Sequence, residues 1–365
     1  MRVLVVNAGS SSLRLRLLEA DDAVADDLHL EQWDGGVDAA AEDWVRGLDG
    51  VDAVGHRVVH GGSALQRATV VDDDVVERIE ALTPLAPLHQ PRALAGIRLA
   101  RELLPRTPSV ACFDTAYHAT LSEAARTYAL PADWRSRWEL RRYGFHGLSH
   151  AYAARQASTL ATDRAASRVV TCHLGAGASL GASVDGRSVD TTMGFTPLEG
   201  LVMATRSGSV DPGLVLWLLD EGGLTVDEVA DGLAQRSGLA GLSGTSGDMR
   251  EVLAARSDGD EPAGLAFDVY VQRVAGEIAR MAVSMGGLDV VVFTGGVGEA
   301  SPEVRAAVAE RLAFLDVRLD SDANADASGD ADLAASDSRV AVLVVAARED
   351  LEIARQVREE LGPSA

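Results

Sequence analysis

The chain has 365 residues, more than one hydrophobic core ordinarily organises, so we expect two domains. Its formal net charge of −22 argues against nucleic acid and anionic membranes as partners. No apolar stretch is long enough to cross a bilayer, and the first predicted strand directly follows Met1 and Arg2, so we expect a cytoplasmic protein. Cys112 and Cys172 lie in apolar runs, which predicts buried free thiols.

Lysine and asparagine are strongly depleted. All 33 basic residues are Arg, and Asn occurs only as Asn7 and Asn324. Such a bias is typical of codon pressure or salt adaptation. We expect Asn7 to lie in the turn of the first predicted hairpin, where Asp, Gly or Ser would serve equally well. The retention of an amide at this position favours a chemical role for Asn7.

Runs of β-branched and aliphatic residues predict the strands, and apolar residues at helical spacing predict the helices. The predicted strands cover residues 3–6, 13–17, 52–59, 109–113, 168–173, 289–294 and 339–345. The predicted helices cover residues 226–238, 262–286, 301–315 and 349–361. Residues 320–332, rich in Asp and Ala, are expected to form an exposed loop. This alternation of elements indicates an α/β protein with mixed sheets.

The opening pattern of the chain recurs in its middle. Residues 5–17 and 168–191 each combine a buried strand, a turn of small residues and a strand of alternating character. A third apolar run, 288–304, ends in a glycine turn that leads into a predicted helix. Turns of this kind present backbone N–H groups to phosphate. The sequence therefore predicts a duplicated, two-lobed nucleotide fold with phosphates held between the lobes.

Three charged residues occur where chemistry is common. Arg57 ends a short strand before a double-glycine turn, and Asp114 directly follows an apolar strand. Arg206 lies among small residues, where its planar fork can approach a phosphate or a carboxylate. Taken singly, Arg57 is better explained as a surface arginine beside core histidines. These residues gain meaning only from the segments that contain them.

Nine segments, in this order, resemble the acetate kinase family, the short-chain acyl kinases that transfer the γ-phosphoryl group of ATP to a carboxylate. They are NAGSSSL, GHRVVHGG, LAPLH, FDTAYH, RRYGFHGLSH, HLGAGAS, MGFTPLEGLVMATRSGSVDP, FTGGVGE and EDLEIA. The resemblance extends from Val3 to Ala354. It implies a duplicated ribonuclease H-like (actin-like ATPase) fold whose lobes are residues 1–118 with 350–365 and residues 119–349. The second lobe would bind the nucleotide and form a homodimer.

The resemblance also implies roles for individual residues. Arg57 and Arg206 would hold acetate and the transferring phosphoryl group, and His146 would donate to that group in the transition state. Asp114 would order the arginines and the metal shell. The protein would contribute alignment and positive charge, because phosphoryl transfer needs little covalent help.

The resemblance assigns the ligands of metal, acyl group and nucleotide to further residues. Asn7 and Glu349 would position Mg²⁺ or Mn²⁺, and His89 and His173 would contribute supporting or phosphate contacts. The acyl pocket would be lined by Val59, Leu88, Phe145 and Pro197. The nucleotide and its phosphates would contact Ser10, Ser12, Arg14, His173, Gly175, Gly177, Asp248, Met249, Arg250, Gly296, Val297 and Gly298.

The chain departs from the family pattern mainly near the nucleotide. The family usually has Lys at position 14, Asn at 90, 176 and 300, and Phe at 249. This chain has Arg14, Gln90, Ala176, Ala300 and Met249. Replacing Asn by Ala removes a hydrogen-bond donor and an acceptor. The phosphoryl donor is therefore open, and pyrophosphate is an alternative to ATP.

Other functions also stay open. The β-branched Val59, predicted to face the methyl end of the substrate, favours acetate, with propionate or butyrate kinase as the nearest alternative. A nucleotide-binding module without kinase activity, like a chaperone or filament ATPase, would need no acyl pocket. A zinc hydrolase built on His146 and His150 is a further reading, but the segment lacks the Glu of an HExxH motif and a nearby third ligand.

Overall fold

The computed structural model describes residues 1–9, 12–33, 35–36, 38–161 and 166–362. The strands are β1 (Val3–Ala8), β2 (Leu13–Leu18), β3 (Val24–Leu30), β4 (Ala53–Val58), β5 (Thr69–Val70), β6 (Ser109–Phe113), β7 (Arg168–Leu174), β8 (Ala178–Val184), β9 (Arg187–Thr191), β10 (Val290–Thr294), β11 (Ala331–Asp332) and β12 (Ala341–Val344). None of the helices in these ranges is both long and apolar enough to span a membrane.

The helices of the same ranges are mostly short. They are α1 (Ala39–Arg46), α2 (Asp73–Ala81), α3 (Gln90–Leu103), α4 (Glu123–Arg126), α5 (Ala132–Trp138), α6 (Gly147–Leu160), α7 (Pro212–Leu219), α8 (Val226–Gln235), α9 (Gly238–Ser243), α10 (Met249–Ser257), α11 (Glu261–Met285), α12 (Gly295–Ala300), α13 (Pro302–Arg311), α14 (Ser321–Asp326) and α15 (Glu349–Leu361).

The chain divides into two compact units. The first comprises Met1–Ala119, Phe145–Tyr152 and Arg348–Ala365, and the second comprises Thr120–Gly144 and Ala153–Ala347. These units differ from the predicted lobes by one or two residues at Ala119 and at Arg348 and Glu349, and by the whole of Phe145–Tyr152, all of which group with the first unit. Packing accounts for the larger difference, because Leu148 is buried in the same hydrophobic cluster as the strands of that unit.

The first unit is built on a six-stranded sheet in the order β3-β2-β1-β4-β6-β5. Strands β1, β4 and β6 are parallel, and β2, β3 and β5 run antiparallel to their neighbours. Alternate residues of β1 serve opposite faces of the sheet. Leu4 and Val6 belong to the cluster that includes Trp33, whereas Val3 and Val5 pack in the cluster that includes α15.

Helix α15 lies very close to the first sheet because β4 has a glycine beneath it. A Cβ atom added to Gly55 would lie 2.5 Å from Ile353 Cγ2 and 2.8 Å from Val357 Cγ2. Both isoleucine and valine side chains are fully buried. The absence of a side chain at Gly55 therefore sets the distance between the helix and the sheet.

The second unit repeats the topology of the first. Its sheet has the order β11-β12-β10-β7-β8-β9, in which β7, β10 and β12 are parallel and β7-β8-β9 form an antiparallel meander. The hairpin turns also correspond, since Gly9 N–H donates to Ser12 O at 2.8 Å and Gly175 N–H donates to Gly177 O at 3.0 Å. The predicted α/β class and the duplicated two-lobed fold are confirmed.

The segment 320–332 is largely exposed, as predicted, but the prediction that it forms a loop is wrong. The segment contains α14, whose N-terminus is capped by the Asp320 side chain, and it ends in the short strand β11. Asn324 in α14 is buried and accepts a hydrogen bond from the Arg305 side chain. The acidic residues that suggested a solvated loop include the helix cap, which is a common place for Asp.

The close packing at Gly55 predicts a stability effect. We expect Gly55→Ala to lower the free energy of unfolding by about 1–3 kcal/mol, because the added methyl group forces α15 away from the sheet. Urea denaturation monitored by circular dichroism measures the change. Gly276→Ala in α11 is the control, since a Cβ there meets no atom within 4 Å and alanine favours a helix. Equal stability of the two variants would contradict the assignment.

Candidate active site

Arg57 lies near the end of β4 and is held by two carboxylates and one amide of the first unit. Its Nη2 donates to Asp114 Oδ2 at 2.9 Å, and its Nε lies 3.3 Å from the same oxygen. Its Nη1 donates to Asn7 Oδ1 at 3.4 Å and pairs with Glu349 Oε2 at 3.3 Å. Asn7 Nδ2 in turn lies 3.5 Å from Glu349 Oε2. Four of the predicted site residues therefore form one cluster.

The sheet explains why residues so distant in sequence meet. Asn7 and Arg57 lie near the carboxyl ends of the parallel strands β1 and β4, and Asp114 directly follows β6. The predicted position of Asn7 in the turn is wrong, because the ladder with β2 continues through Asn7 and pairs it with Arg14. Carboxyl ends of parallel strands share one edge of a sheet, where α/β proteins bind ligands. Glu349 is the first residue of α15. The fold thus brings an amide, a guanidinium and two carboxylates to one place.

Burial and charge act against each other in this cluster. Burial disfavours the Arg57 charge, but Asp114 and Glu349 outweigh it and raise the pKa of Arg57. Burial raises the pKa of Asp114 to about 6, repulsion from Glu349 adds to the rise, and the Arg57 charge limits it. Asp114 is fully buried, so Arg57 is the group that stabilises its ionised form.

His146 stands beside this cluster in an uncommon backbone conformation. Its φ is +56°, in the left-handed region that few residues with side chains occupy. The next residue, Gly147, donates its N–H to the Asp114 carbonyl oxygen at 2.9 Å. The His146 carbonyl oxygen accepts from His150 N–H at 2.9 Å, in the first turn of α6. Such conformations persist where surrounding contacts fix them, often at functional sites.

Four further histidines of the first unit, His56, His60, His118 and His150, are buried in its core. His56 and His60 are buried, and burial lowers their pKa values to about 3 and about 4, so both rings are neutral. The His118 ring lies edge-on to the His150 ring at 5.6 Å. In the described ranges, no three His, Cys, Asp or Glu side chains converge on a possible metal position. The zinc reading of His146 and His150 gains no support.

The predicted acyl-pocket residues differ in exposure. Val59 and Phe145 are buried in the first unit, where the Phe145 ring lies edge-on to His60 at 5.6 Å. Leu88 lies in the turn before α3 and is 61% exposed. Pro197 lies in the second unit. The structure thus places Val59 and Phe145 in a packed environment and Leu88 in an open one.

Arg206 lies in the second unit without a carboxylate in contact among the described residues. Its Nη1 donates to the Pro197 carbonyl oxygen at 3.0 Å and lies 3.6 Å from Met203 Sδ. Burial lowers the pKa of Arg206, although a guanidinium stays charged. A partly buried cation that lacks a counter-ion is suited to bind an anion.

The second unit contains a cavity of about 690 Å³, which is a typical size for a site that binds a small molecule. Six of the predicted nucleotide residues line it, namely Gly175, Asp248, Met249, Arg250, Gly296 and Val297. Ala176 and Ala300, the two positions where the family usually has Asn, line it as well. Asp248 caps α10, and the Arg250 side chain lowers its pKa to about 2.

A buried arginine supports the glycine segment of this cavity. Arg305 Nη1 donates to the carbonyl oxygens of Gly298 at 2.9 Å and Glu299 at 2.7 Å, near the end of α12. Its Nε donates to Asn324 Oδ1 at 2.7 Å and its Nη2 to the Asn324 carbonyl oxygen at 2.9 Å. Sequence reasoning missed this pair. The available signal was Asn324, the second of only two Asn residues in the chain.

The remaining predicted residues lie as follows. Ser10 lies outside the described residues. Ser12 precedes β2, Arg14 on β2 pairs with Asp27 at 3.1 Å, and His173 and Gly177 flank the β7–β8 turn. His89 precedes α3, and Gly298 is buried in α12. Gln90 is buried and exchanges hydrogen bonds with the His60 backbone at 3.3 and 3.0 Å, which gives this departure from the family pattern a structural role.

The chain is an α/β protein of the actin-like ATPase fold. Its features are two sheets of the same topology, the Arg57 cluster at the edge of the first sheet and the glycine-lined cavity of the second unit. A sequence model of the acetokinase family matches residues 38–355. Acetate kinase from Halothermothrix orenii is 40% identical, covering 97% of this chain and 98% of its own length. The chain therefore belongs to the acetokinase family, as its sequence segments indicated.

Solved structures give the same result. Acetate kinase from Porphyromonas gingivalis superposes with a TM-score of 0.90 and 35% identity, covering 99% of this chain and 100% of that one. A propionate kinase from Francisella tularensis superposes with the same TM-score and identity, covering 98% and 99%. The fold is thus shared by relatives named for two different carboxylates.

The buried His56 predicts a pH dependence of stability. Its pKa is about 3 in the fold and near 6.5 in an unfolded chain, so the unfolded chain binds more protons as the pH falls. Lowering the pH from 8 to 5 should therefore reduce the free energy of unfolding by about 2 kcal/mol through this residue. His56→Gln should abolish that part of the pH dependence. Urea denaturation at both pH values measures it, with His29→Gln on the exposed β3 as control. An unchanged pH dependence in His56→Gln would refute the prediction.

Proposed function

We propose that this chain is an acetate kinase, which transfers the γ-phosphoryl group of ATP reversibly to acetate and yields acetyl phosphate and ADP. The observation that carries the proposal is the Arg57 cluster, in which Asp114, Asn7 and Glu349 hold one guanidinium at a sheet edge. Membership of the acetokinase family and the nucleotide-sized cavity of the second unit support it.

The chemistry follows from the charges that these residues present. An acetate oxygen attacks the γ-phosphorus, the new oxygen–phosphorus bond forms, and the bond to the β-phosphate oxygen breaks as ADP leaves. Arg57 and Arg206 are the cations that we propose to neutralise the equatorial phosphoryl oxygens. Asp114 keeps the Arg57 fork in place through its hydrogen bonds. His146, fixed by the neighbouring Gly147–Asp114 contact, is proposed to donate to the same phosphoryl group.

The donor set fits a divalent metal ion. Asn7 and Glu349 offer an amide oxygen and a carboxylate, which are the hard oxygen ligands that Mg²⁺ and Mn²⁺ prefer. Two protein ligands are enough, because Mg²⁺ commonly takes its other ligands from water and substrate phosphates. When bound, the ion supplies charge neutralisation to the phosphates. We propose that Asn7 and Glu349 hold it.

The acceptor and the donor are separate questions. We propose acetate over propionate because Val59 is buried and β-branched, and one added methylene in a tight pocket costs about 1–3 kcal/mol. ATP is proposed as donor because the cavity is lined by Gly296 and Val297 at the start of α12, where backbone N–H groups suit phosphate. Ala176 and Ala300 in the same cavity offer no side-chain hydrogen bonds, which predicts weak discrimination among purine nucleotides.

A single assay panel tests the proposal. We expect phosphorylation of acetate by ATP in the presence of Mg²⁺, a preference for acetate over propionate and butyrate of about 10-fold or more in kcat/KM, and loss of turnover in excess chelator. GTP and pyrophosphate are tested as alternative donors against the same acceptors. Activity with pyrophosphate and none with ATP would change the donor, and a preference for propionate would change the acceptor.

Variants tie that activity to the site. Arg57→Ala and Arg206→Ala should each lower kcat by about 100-fold or more, because a charge-matched transition-state contact is lost. Arg311→Ala is the control, because the exposed Arg311 guanidinium of α13 donates, among the described residues, only to Gln272 Oε1 of α11, at 2.6 Å. Turnover close to wild type in the Arg57 or Arg206 variant would refute the assigned roles.

We further propose a homodimer formed through the second unit, in the cytoplasm. Helix α7 has no buried residue and no charged side chain, although most of its residues are apolar. Leu216 is 67% exposed and Trp217 is 55% exposed, and Val226, at the start of the neighbouring helix α8, is exposed as well. Contiguous apolar surface of this kind is characteristic of subunit interfaces.

Sedimentation velocity tests the dimer. The wild type should sediment at twice the chain mass, and the double variant Leu216→Glu/Trp217→Glu should sediment as a monomer, because buried carboxylates would oppose association. Phe314→Glu is the control, since Phe314 is more exposed than Leu216 and Trp217 but lies away from α7 in the chain. A monomeric wild type, or a double variant that remains dimeric, would disprove the proposed interface.

A further inference from the structure

The second unit contains a hydrogen-bonded group that none of the roles above uses. Tyr128, Arg142 and Glu199, here called the Tyr128 network, are each partly buried. Tyr128 Oη donates to Glu199 Oε2 at 2.5 Å, and Arg142 Nη2 donates to Glu199 Oε1 at 2.7 Å. Both carboxylate oxygens of Glu199 are therefore occupied by fixed donors.

The Tyr128 hydroxyl closes a turn. It accepts a hydrogen bond from the Phe195 N–H at 2.9 Å while it donates to the Glu199 side chain. One oxygen atom thus ties together the two ends of the turn 195–199. Pro197 is the middle residue of that turn. Burial and the bond to Glu199 raise the pKa of Tyr128, so the hydroxyl keeps the proton it donates.

Arg142 fixes the start of the same loop. Its Nη1 donates to the carbonyl oxygens of Thr192 at 3.2 Å and Met193 at 2.9 Å, while its Nη2 holds Glu199. The guanidinium also lies 5.5 Å from the centre of the Tyr128 ring. A single planar fork therefore joins the residues before the turn to the residue that ends it.

The turn is tightly packed at Gly194. A Cβ atom added to Gly194 would lie 1.8 Å from Glu199 Oε2 and 2.1 Å from Tyr128 Oη. The Gly194 carbonyl oxygen accepts the backbone N–H of Tyr143 at 3.0 Å. The turn is thus held from its side chains and from its backbone at once.

The turn in turn positions Arg206. The Pro197 carbonyl oxygen accepts from Arg206 Nη1 at 3.0 Å, and it is the only oxygen acceptor that this guanidinium has among the described residues. Any displacement of Pro197 therefore moves the partner that orients the guanidinium. Misplacing a catalytic contact by about 1 Å costs up to about 100-fold in rate.

We propose that Tyr128, Arg142 and Glu199 are positioning residues for the carboxylate-binding side of the reaction. They act through Pro197 and Arg206 and touch no substrate themselves. This inference rests on the proposed function, because it assigns the network to the step in which Arg206 holds the acceptor and the phosphoryl group. The Tyr128 network has no role in nucleotide binding in this proposal, because other residues line the nucleotide cavity.

Tyr128→Phe tests the proposal with the removal of one oxygen atom. We expect kcat/KM for acetate to fall by about 10- to 100-fold, with the KM for ATP within about twofold of wild type. Tyr270→Phe is the matched control, because the Tyr270 hydroxyl is buried in the same unit and has no hydrogen-bond partner in the described ranges. That variant should keep both constants at wild-type values.

Glu199→Gln keeps the test decisive if Tyr128→Phe does not fold, and the double variant adds a test of coupling when both single variants fold. Glu199→Gln retains the shape of Glu199 and one acceptor oxygen. We therefore expect kcat/KM for acetate to fall less than in Tyr128→Phe, again with little change in the KM for ATP. The double variant Tyr128→Phe/Glu199→Gln should lose less than the product of the single losses, because both act on one turn.

The outcomes separate this inference from the proposed function. A wild type that does not phosphorylate acetate refutes the function. An active wild type with a Tyr128→Phe variant equal to Tyr270→Phe overturns the positioning role. A rise in the KM for ATP as large as the loss in kcat/KM for acetate, or a fall in the melting temperature of Tyr128→Phe large enough to account for the lost activity, overturns it as well. An acetate-specific loss at wild-type melting temperature, with non-additive double-variant behaviour, supports it.

Discussion

The contact between Arg57 and Asp114 is the constraint on which the first unit depends. Asp114 is fully buried, and a buried carboxylate is costly unless a cation and hydrogen-bond donors meet it. Arg57 supplies both with one planar fork and reaches Asn7 and Glu349 with its remaining nitrogen. Because Arg57 and its partners come from three strand ends and one helix start, the sheet order and the position of α15 must both be correct for the charges to balance.

The two sheets share one topology but have different tasks. In the first, the strand ends carry charged and amide side chains around Arg57. In the second, the equivalent ends carry glycines and alanines, including Gly175 and Gly296, and leave a cavity. The first arrangement concentrates charge, and the absence of large side chains in the second leaves room for a bound molecule. A duplication followed by divergence of the side chains at the strand ends accounts for the charged cluster of the first unit and the cavity of the second.

Much of this arrangement could be predicted from the sequence, because it depends on local patterns. Buried strands such as β7 and β10 appear as apolar runs, and the Arg57 cluster was found from segments that resemble a known family. The edge strand β3 was not predicted, since VADDLHL shows little apolar alternation and is largely exposed. The pairs Arg305–Asn324 and Tyr128–Glu199 were missed because contacts between residues distant in sequence leave no periodic signal.

The arginine-only composition has a consequence for a chain that makes an acyl phosphate. Acyl phosphates acylate free amines, and lysine is the side chain that proteins ordinarily acetylate. This chain has no lysine, and all 33 of its basic residues are arginines, whose charged group is a guanidinium. A guanidinium stays protonated at physiological pH and so lacks the free electron pair that such an attack requires. The catalyst therefore offers its own reactive product no side-chain amine to modify.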